Sequence, residues 1–538
     1  MLLSRRFFPY FVTQCLGALN DNVYKNVLLL MVTYSQVSSL PFDVNLFVNL
    51  AAGLFILPFF LFSAYAGLVA DNMDKALLIR RLKLLEFVIM ACAAAAIVTH
   101  SYLLMLVLLF LMGTQSAFFG PVKYSLLPQI LTAEDLVRGN AWVEVGTFVS
   151  ILLGTIGAGL ILTQSYAEVI AAASVVAFAL LGVFYSRQIP PLPPVQQVDD
   201  VPFAPFSGML RTLTLCRQQP AIWIAIIAIS WFWFVGATYL TQFANFSRVH
   251  LNGDATVVSL LLVLFSVGIA LGSMLCTRLS RQRVEIGVVP LGLLGLWIFG
   301  VDLYYAIPPM TAQPLMSVSD FLSQPNHYRL LLDLLCIGIS GGVYIVPLYA
   351  FVQARAVPSQ RAQMIAANNI LNALFMVISA ILAMVLLGAI QWQISELFLA
   401  LACANVLAGL AIFTANLEFR VRVKHYLLSV LRYRVSIDSV ILPYEGACLL
   451  VSEKAQRIPR ALLSTISLRP IIVGQQTLQV KEALRQHKMI LIDDKQLSEL
   501  LIRDPSFLMQ NPCFRLQYST EAQSSWRQKV TMTLSRLR

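Results

Sequence analysis

The stretch GLVADNMDKALLIRR (67–81) joins two apolar runs, 44–70 and 83–99, and places a glycine, an acid and a set of cations at their junction. A glycine at 67 lets a neighbouring helix approach closely, and Asp71 can receive a helix N-terminus or a basic partner from another segment. Lys75, Arg80 and Arg81 can reach carboxylates across a seam between helices. A bilayer span takes about 20 apolar residues. Working outward, twelve stretches meet that length: 7–34, 44–70, 83–99, 101–126, 140–164, 168–187, 221–245, 256–279, 286–306, 328–354, 363–390 and 393–415. With 58% hydrophobic and 12% charged residues, the chain has more apolar surface than a single soluble core buries. The reading is an all-α polytopic membrane protein.

The cations fall in alternate connections: Arg5 and Arg6 before the first span, then Lys75, Arg80, Arg81, Arg138, Arg187, Arg211, Arg217, Arg278, Arg281, Arg283, Arg355, Arg361, Arg420, Arg422 and Lys424. Basic residues in short loops stay in the cytoplasm, so both termini are expected there; Arg248 and Arg329 break the pattern. The first span carries Asp21, Asn22 and Lys25 and lacks a small-residue cleavage site, so it reads as a retained helix. The net charge of +11 is then a topology signal facing anionic headgroups. No basic run is interleaved with aromatics, which argues against nucleic acid as a partner. The eight cysteines stand singly without a CxxC pair and read as packing residues. No phosphate-cradling loop is present, and no cofactor or metal is expected.

The longest polar break in the apolar region, 188–220, opens IPPLPPVQQVDDVPF and reads as an extended cytoplasmic linker. It divides the spans into halves at 1–187 and 221–415, with a cytoplasmic domain at 416–538. The halves echo each other: FFGPVKYSLLP leads to Asn140, and GVYIVPLYAFVQ leads to Asn368 and Asn369. AYAGLVADNMDK (64–75) is echoed by IALGSMLCTRLSRQR (269–283), without the Asp. Gly67-x-x-x-Asp71-x-x-x-Lys75 resembles the loop motif that major facilitators carry between their second and third spans. That resemblance implies the facilitator fold: twelve transmembrane helices in two six-helix halves, with a cavity near the midplane between them. The loop would latch one access state and part in the other.

An ionisable group at bilayer depth costs roughly 2.5–3.5 kcal/mol, so each needs a partner, a wet cavity or a task. Asp21 and Lys25 stand at i and i+4 on one face of the first span, where they can pair internally, with Asn22 and Asn26 in the next stripe. Glu86, Lys123 and Glu144, with Asn140, are expected to form one polar cluster. Asp302 lies near a helix end and reads as solvated; Asp333 is the other acid of the second half. Span seven, ISWFWFVGATYLTQFANF, supplies Trp231, Phe232, Trp233, Phe234, Tyr239, Gln242 and Asn245, either as a substrate surface or as an interfacial belt.

GALNDNVYKN (17–26), GPVKYSLLPQ (120–129), WVEVGTFVSILLGTIGAG (142–159), WFWFVGATYLTQF (231–243) and AANNILNALF (366–375) together resemble the lysophospholipid transporter family. The closest resemblance is to the transporter module of proteins fused to an acyltransferase and an acyl-carrier ligase. It implies a bacterial inner-membrane carrier that flips lysophospholipids such as lysophosphatidylethanolamine by alternating access. Its substrate pathway would hold Asp21, Asn22, Lys25, Glu86, Lys123, Asn140, Glu144, Tyr239 and Gln242. Gly67, Asp71, Lys75, Arg80 and Arg81 would form the gating loop. An exporter or importer of a polar solute, such as a siderophore or drug, is the competing reading.

The tail from 431, LRYRVSIDSVILPYEGACLLVSEKAQRIPRALLSTISLRPIIVG, resembles the opening of a glycerolipid acyltransferase domain. The His-x4-Asp expected after the LLV strand, in which His is the general base, is replaced by Lys454 and Pro459. His425 and His487 stand out of place to substitute. The expectation is a small α/β domain without catalysis, a shortened and degenerate acyltransferase. It would regulate transport or recruit a separate acyltransferase; an unrelated cytoplasmic domain is the alternative. Its Arg457, Arg460 and Arg469 suit anionic lipid.

Overall fold

A computed structural model describes residues 1–34, 44–194, 203–308, 315–415, 417–438, 448–452, 463, 471–473, 480, 489–503, 513–522 and 528–536. Long runs of Leu, Val, Phe and Ala satisfy their backbone groups internally as helices, the only open-ended element that lipid tolerates. In chain order these are α1 (Phe8–Tyr34), α2 (Val44–Asn72), α3 (Lys75–Val98), α4 (Tyr102–Ser125), the short α5 (Leu127–Ile130), α6 (Leu136–Leu162) and α7 (Ala167–Ser186). After α8 (Pro205–Arg217) come α9 (Pro220–His250), α10 (Ala255–Leu279), α11 (Val289–Ala306), the short α12 (Val318–Ser323), α13 (Tyr328–Arg355), α14 (Arg361–Ala383) and α15 (Ile394–Ala415). A π-helical turn, Met384–Ala389, prolongs α14.

Among the described residues twelve long helices stand where twelve spans were expected. Ten of these helical stretches are long and apolar enough to cross a bilayer by composition; α1 and α3 are outside that set, and both carry intramembrane charge. The chain divides into two compact units, one of Met1–Arg283 with Leu291–Leu410 and one of Val284–Pro290 with Ala411–Arg538. In the first unit α1 packs on α6 and α7, and α2 on α4. In its second half α10 packs on α13, and α9 on α14. The seam between the halves is made by α2 with α14 and by α6 with α10. Two sequence expectations are corrected here. The polar segment at 75–81 is the first turns of α3, not a loop. Residues 205–217, expected to be extended, form α8, because the prolines of the preceding stretch end before Phe206 and leave a helix-compatible run.

The second unit holds α16 (Leu417–Arg432) and a six-stranded sheet: β1 (Tyr433–Asp438), β2 (Cys448–Val451), β3 (Ile471–Val473), β4 (Met489–Ile492), β5 (Cys513–Ala522) and β6 (Gln528–Arg536). The spatial order is β1-β6-β5-β2-β4-β3, with β5 and β6 antiparallel and the other pairs parallel. Leu449, Val451, Ile490 and Ile492 point into an apolar core shared with Leu497 and Leu500 of the Asp494–Arg503 helix. Within this unit Arg422 pairs with Glu285 at 3.6 Å. The positions of Lys454, Pro459, Arg457, Arg460, Arg469 and His487 lie outside the described residues.

Candidate functional site

The polar residues of the first half form two networks. In the first, Lys83 donates to Glu86 Oε2 at 2.6 Å, and both side chains are 1% exposed. Gln115 donates to the same oxygen at 3.2 Å and Asn20 to Oε1 at 3.4 Å. The next residue on each of those two helices completes the set: Ser116 donates to Asp21 Oδ2 at 2.8 Å. Three helices, α1, α3 and α4, thereby share two carboxylates. Room for the lysine comes from Gly17, where a Cβ would stand 2.5 Å from Lys83 Nζ, and from Gly182 on the other side.

Asp21 and Lys25 do not form the internal pair expected from their spacing. Asp21 turns to Ser116, while Lys25 donates to Asn22 Oδ1 at 3.3 Å and lies 5.9 Å from the centre of the Phe55 ring. Helix packing decides this: α4 offers Asp21 a hydroxyl, and an i,i+4 pair is worth only about 0.2–0.5 kcal/mol. Asn26 reaches Thr155 of α6 at 3.2 Å.

The second network is nearer the chain's N-terminal end of the bundle. Lys123 donates to Thr147 at 2.9 Å, Thr147 also bonds Gln14 at 3.2 Å, and Tyr10 donates to the Lys123 carbonyl. Tyr124 donates to Glu144 Oε1 at 3.0 Å; Glu144 is fully buried, and its Oε2 has no partner. The cluster expected of Glu86, Lys123, Glu144 and Asn140 is therefore divided: Glu86 belongs with Asp21, and Glu144 with Tyr124.

From Tyr124 the path crosses to the second half. Its ring stacks on Tyr349 of α13 at 4.5 Å with the planes 4° apart, and Tyr349 OH accepts from Trp233 Nε1 at 3.1 Å. The echoed prolines lie close by in sequence. Pro121 and Pro347 both lie inside helices, α4 and α13, and each stands just before its tyrosine. Asn140 and Gln353 exchange two hydrogen bonds across the same seam. Farther inward Phe148 stacks on Trp233 at 6.3 Å.

Asp71 receives a helix N-terminus. Its two oxygens accept from the backbone N–H of Ala362 at 2.9 Å and of Gln363 at 3.0 Å, capping α14. At Gly67 a Cβ would come within 2.7 Å of Ala366 and 3.0 Å of the Ala362 carbonyl, so only glycine permits this approach. Lys75 is buried, Arg80 donates to the Ile189 carbonyl at 2.7 Å, and Arg81 is exposed. Arg80 thus ties α3 to the chain after α7 within one half, rather than bridging to a carboxylate.

Tyr239 and Gln242 join neither network. Tyr239 is buried among Phe243, Phe265 and Phe398 in the second half. Trp231 donates to Asn405 at 2.8 Å, and Phe232 and Phe234 are buried, so these aromatics pack against protein rather than forming a belt. Asp302, expected to be solvated, is 38% exposed and pairs there with Arg329 through Nε at 3.1 Å and through Nη2. Asp333, one turn from Arg329, is buried. Lys83, Gln115, Ser116 and Gln353 were not among the expected site residues. The signal for Lys83 was its place in KLLE (83–86), three residues before Glu86 on one helical face.

Two six-helix halves, a capped seam at one end and buried charge in the first half define a membrane carrier. The chain belongs to the Major Facilitator Superfamily, whose family model matches residues 11–321. Among curated proteins it is similar to the lysophospholipid transporter LplT of Serratia proteamaculans, 25% identical over 363 residues, 66% of this chain and 81% of that protein. It is also similar to the protein of that name from Cronobacter sakazakii, 26% identical over 367 residues, 66% of this chain and 81% of the other. Among solved structures it resembles the human organic anion transporter MFSD10, with TM-score 0.63 and 13% identity over 77% of this chain and 99% of that one. The proton:xylose symporter XylE matches with TM-score 0.58 and 13% identity over 76% and 95%. These two likenesses speak to the fold alone.

Proposed function

We propose that the chain carries lysophospholipids, such as lysophosphatidylethanolamine, across a bacterial inner membrane by alternating access, without chemistry on the substrate. The observation that carries the substrate reading is the division of character between the halves. Asp21, Lys25, Lys83, Glu86, Lys123 and Glu144 all belong to the first half, whereas Phe232 and Trp233 of the second half meet Phe148 across the seam. A lipid with a charged headgroup and one acyl chain matches such a pair of surfaces. The similarity to curated lysophospholipid transporters supports the same class.

Asp21, Asn22 and Lys25 are the headgroup candidates, since their side chains are only partly buried. Glu86 and Glu144 with Lys123 lie behind them as the groups that hold α1, α3, α4 and α6 in register. Asp71, Gly67, Asn140 and Tyr124 make the closed end. Both termini are cytoplasmic in this reading, so the capped end faces the cytoplasm and the pathway opens to the opposite side. The second unit is a non-catalytic relative of acyltransferases that regulates the carrier or recruits an acyltransferase. Proteoliposomes test the function: labelled lysophosphatidylethanolamine in one leaflet should become inaccessible to albumin extraction only when the protein is present. Uptake of a polar solute with no lipid movement would replace this reading with the solute carrier.

A further inference from the structure

Helix α8 lies across the seam between the halves. It packs on α2 of the first half and on α14 and α9 of the second, at the end where Asp71 caps α14. At about 100° per residue its residues fall into three sectors. Gly208, Thr212 and Cys216 face the bundle: Thr212 and Cys216 are buried, and Gly208 lies against Ala64 of α2. Beside them run Phe206, Met209, Leu210 and Leu213, of which Phe206 is 71% and Leu210 62% exposed. The third sector, Ser207, Arg211 and Thr214, is exposed and polar, and the exposed Arg217 closes the last turn.

An apolar strip between a packed face and a basic face is the pattern of a helix lying in the membrane interface. Its depth is fixed by its neighbours, because α9 begins three residues after α8 ends and crosses the bilayer from there. Just before α8, Phe203 stands over the α2 surface, 5.1 Å from Tyr65 and 6.2 Å from Phe62 by ring centres. The stretch from Phe203 to Arg217 carries no acidic residue, and the exposed Arg211 and Arg217 suit an anionic headgroup.

We propose that α8 is a lipid-binding helix: Phe206, Met209, Leu210 and Leu213 enter the acyl region, and Arg211 and Arg217 hold the phosphates of anionic phospholipids beside the α2–α14 seam. Bound lipid then belongs to the closed end of the carrier, whichever solute it moves.

The test uses the full chain in nanodiscs of phosphatidylcholine with or without phosphatidylglycerol. A spin label is carried at Leu210 by a non-natural side chain, so the native cysteines are not involved. The proposal expects the label to be relaxed more strongly by oxygen than by a water-soluble nickel chelate. It expects that preference to grow with phosphatidylglycerol and the growth to vanish in R211Q/R217Q. A label relaxed mainly by the chelate places the strip in water and overturns the proposal. A label immobilised and shielded from both reagents means that protein covers the strip, which also overturns it. An unchanged phosphatidylglycerol response in R211Q/R217Q removes the phosphate role. None of these readouts depends on lysophospholipid movement.

Discussion

Asn140 of α6 and Gln353 of α13 exchange two hydrogen bonds across the seam of the halves, Nδ2 to Oε1 at 2.7 Å and Nε2 to Oδ1 at 2.8 Å. Both side chains are fully buried. Truncating either one leaves an amide with unmet donor and acceptor, a cost of about 1–3 kcal/mol. Asn140→Ala and Gln353→Ala should each lower the closed-to-open ratio by roughly 5–150-fold. Spin labels on the exposed Thr132 and Val357, one on each half, report it as a longer distance population. An unchanged distribution in both variants means the pair does not hold the end shut.

Asp71 bonds two amides of α14 and faces its N-terminus. Asp71→Ala removes an N-cap worth about 0.5–2 kcal/mol, and Asp71→Asn keeps one acceptor while losing the charge. The opening seen by the same labels should be larger for Ala than for Asn. Equal effects would mean that the cap geometry is irrelevant to closure.

Two glycines separate seam from scaffold. Gly67 meets α14 of the opposite half, whereas Gly272 of α10 lies against the Ile339 backbone of α13 in its own half. Overpacking costs about 1–3 kcal/mol or more. Gly67→Ala should open the carrier with little change in thermal stability, and Gly272→Ala should lower membrane abundance and melting temperature. The reverse outcome would show that α2 and α14 are a permanent contact.

The Lys83–Glu86 pair is buried on α3. Removing one partner strands a charge and costs about 3–5 kcal/mol, while removing both is far milder. Lys83→Met should therefore unfold at lower temperature than Lys83→Met/Glu86→Gln. Additive losses in that double-mutant cycle would refute the pairing.

Much of the frame was legible. Hydrophobic runs located every long helix to within a few residues, except that α3 starts at Lys75 instead of 83, because tertiary packing buries Lys75 and half-buries Arg80 in turns whose composition reads as polar. Gly67 and Asp71 were legible as a motif whose physics needs only a glycine and an acceptor at a helix end. Partner choice was not. Asp21 had Lys25 in reach along its own helix, yet Ser116 on α4 takes it, a contact 95 positions away. Gln353 is a lone amide in an apolar helix, and nothing in its own segment tells of Asn140. The aromatic run of span seven has no period that separates core from surface, and nothing in it tells that Tyr239 packs among Phe243, Phe265 and Phe398.

The decisive measurement is leaflet movement of labelled lysophosphatidylethanolamine, compared between the wild type and Asp21→Asn at equal protein content in proteoliposomes. A carrier that holds the headgroup at Asp21 moves the lipid as the wild type and loses at least about tenfold in the variant, the loss expected when a charged contact worth about 1.4 kcal/mol or more is removed. Absence of movement by the wild type overturns lysophospholipid transport, and equal movement by both proteins removes Asp21 from the headgroup site.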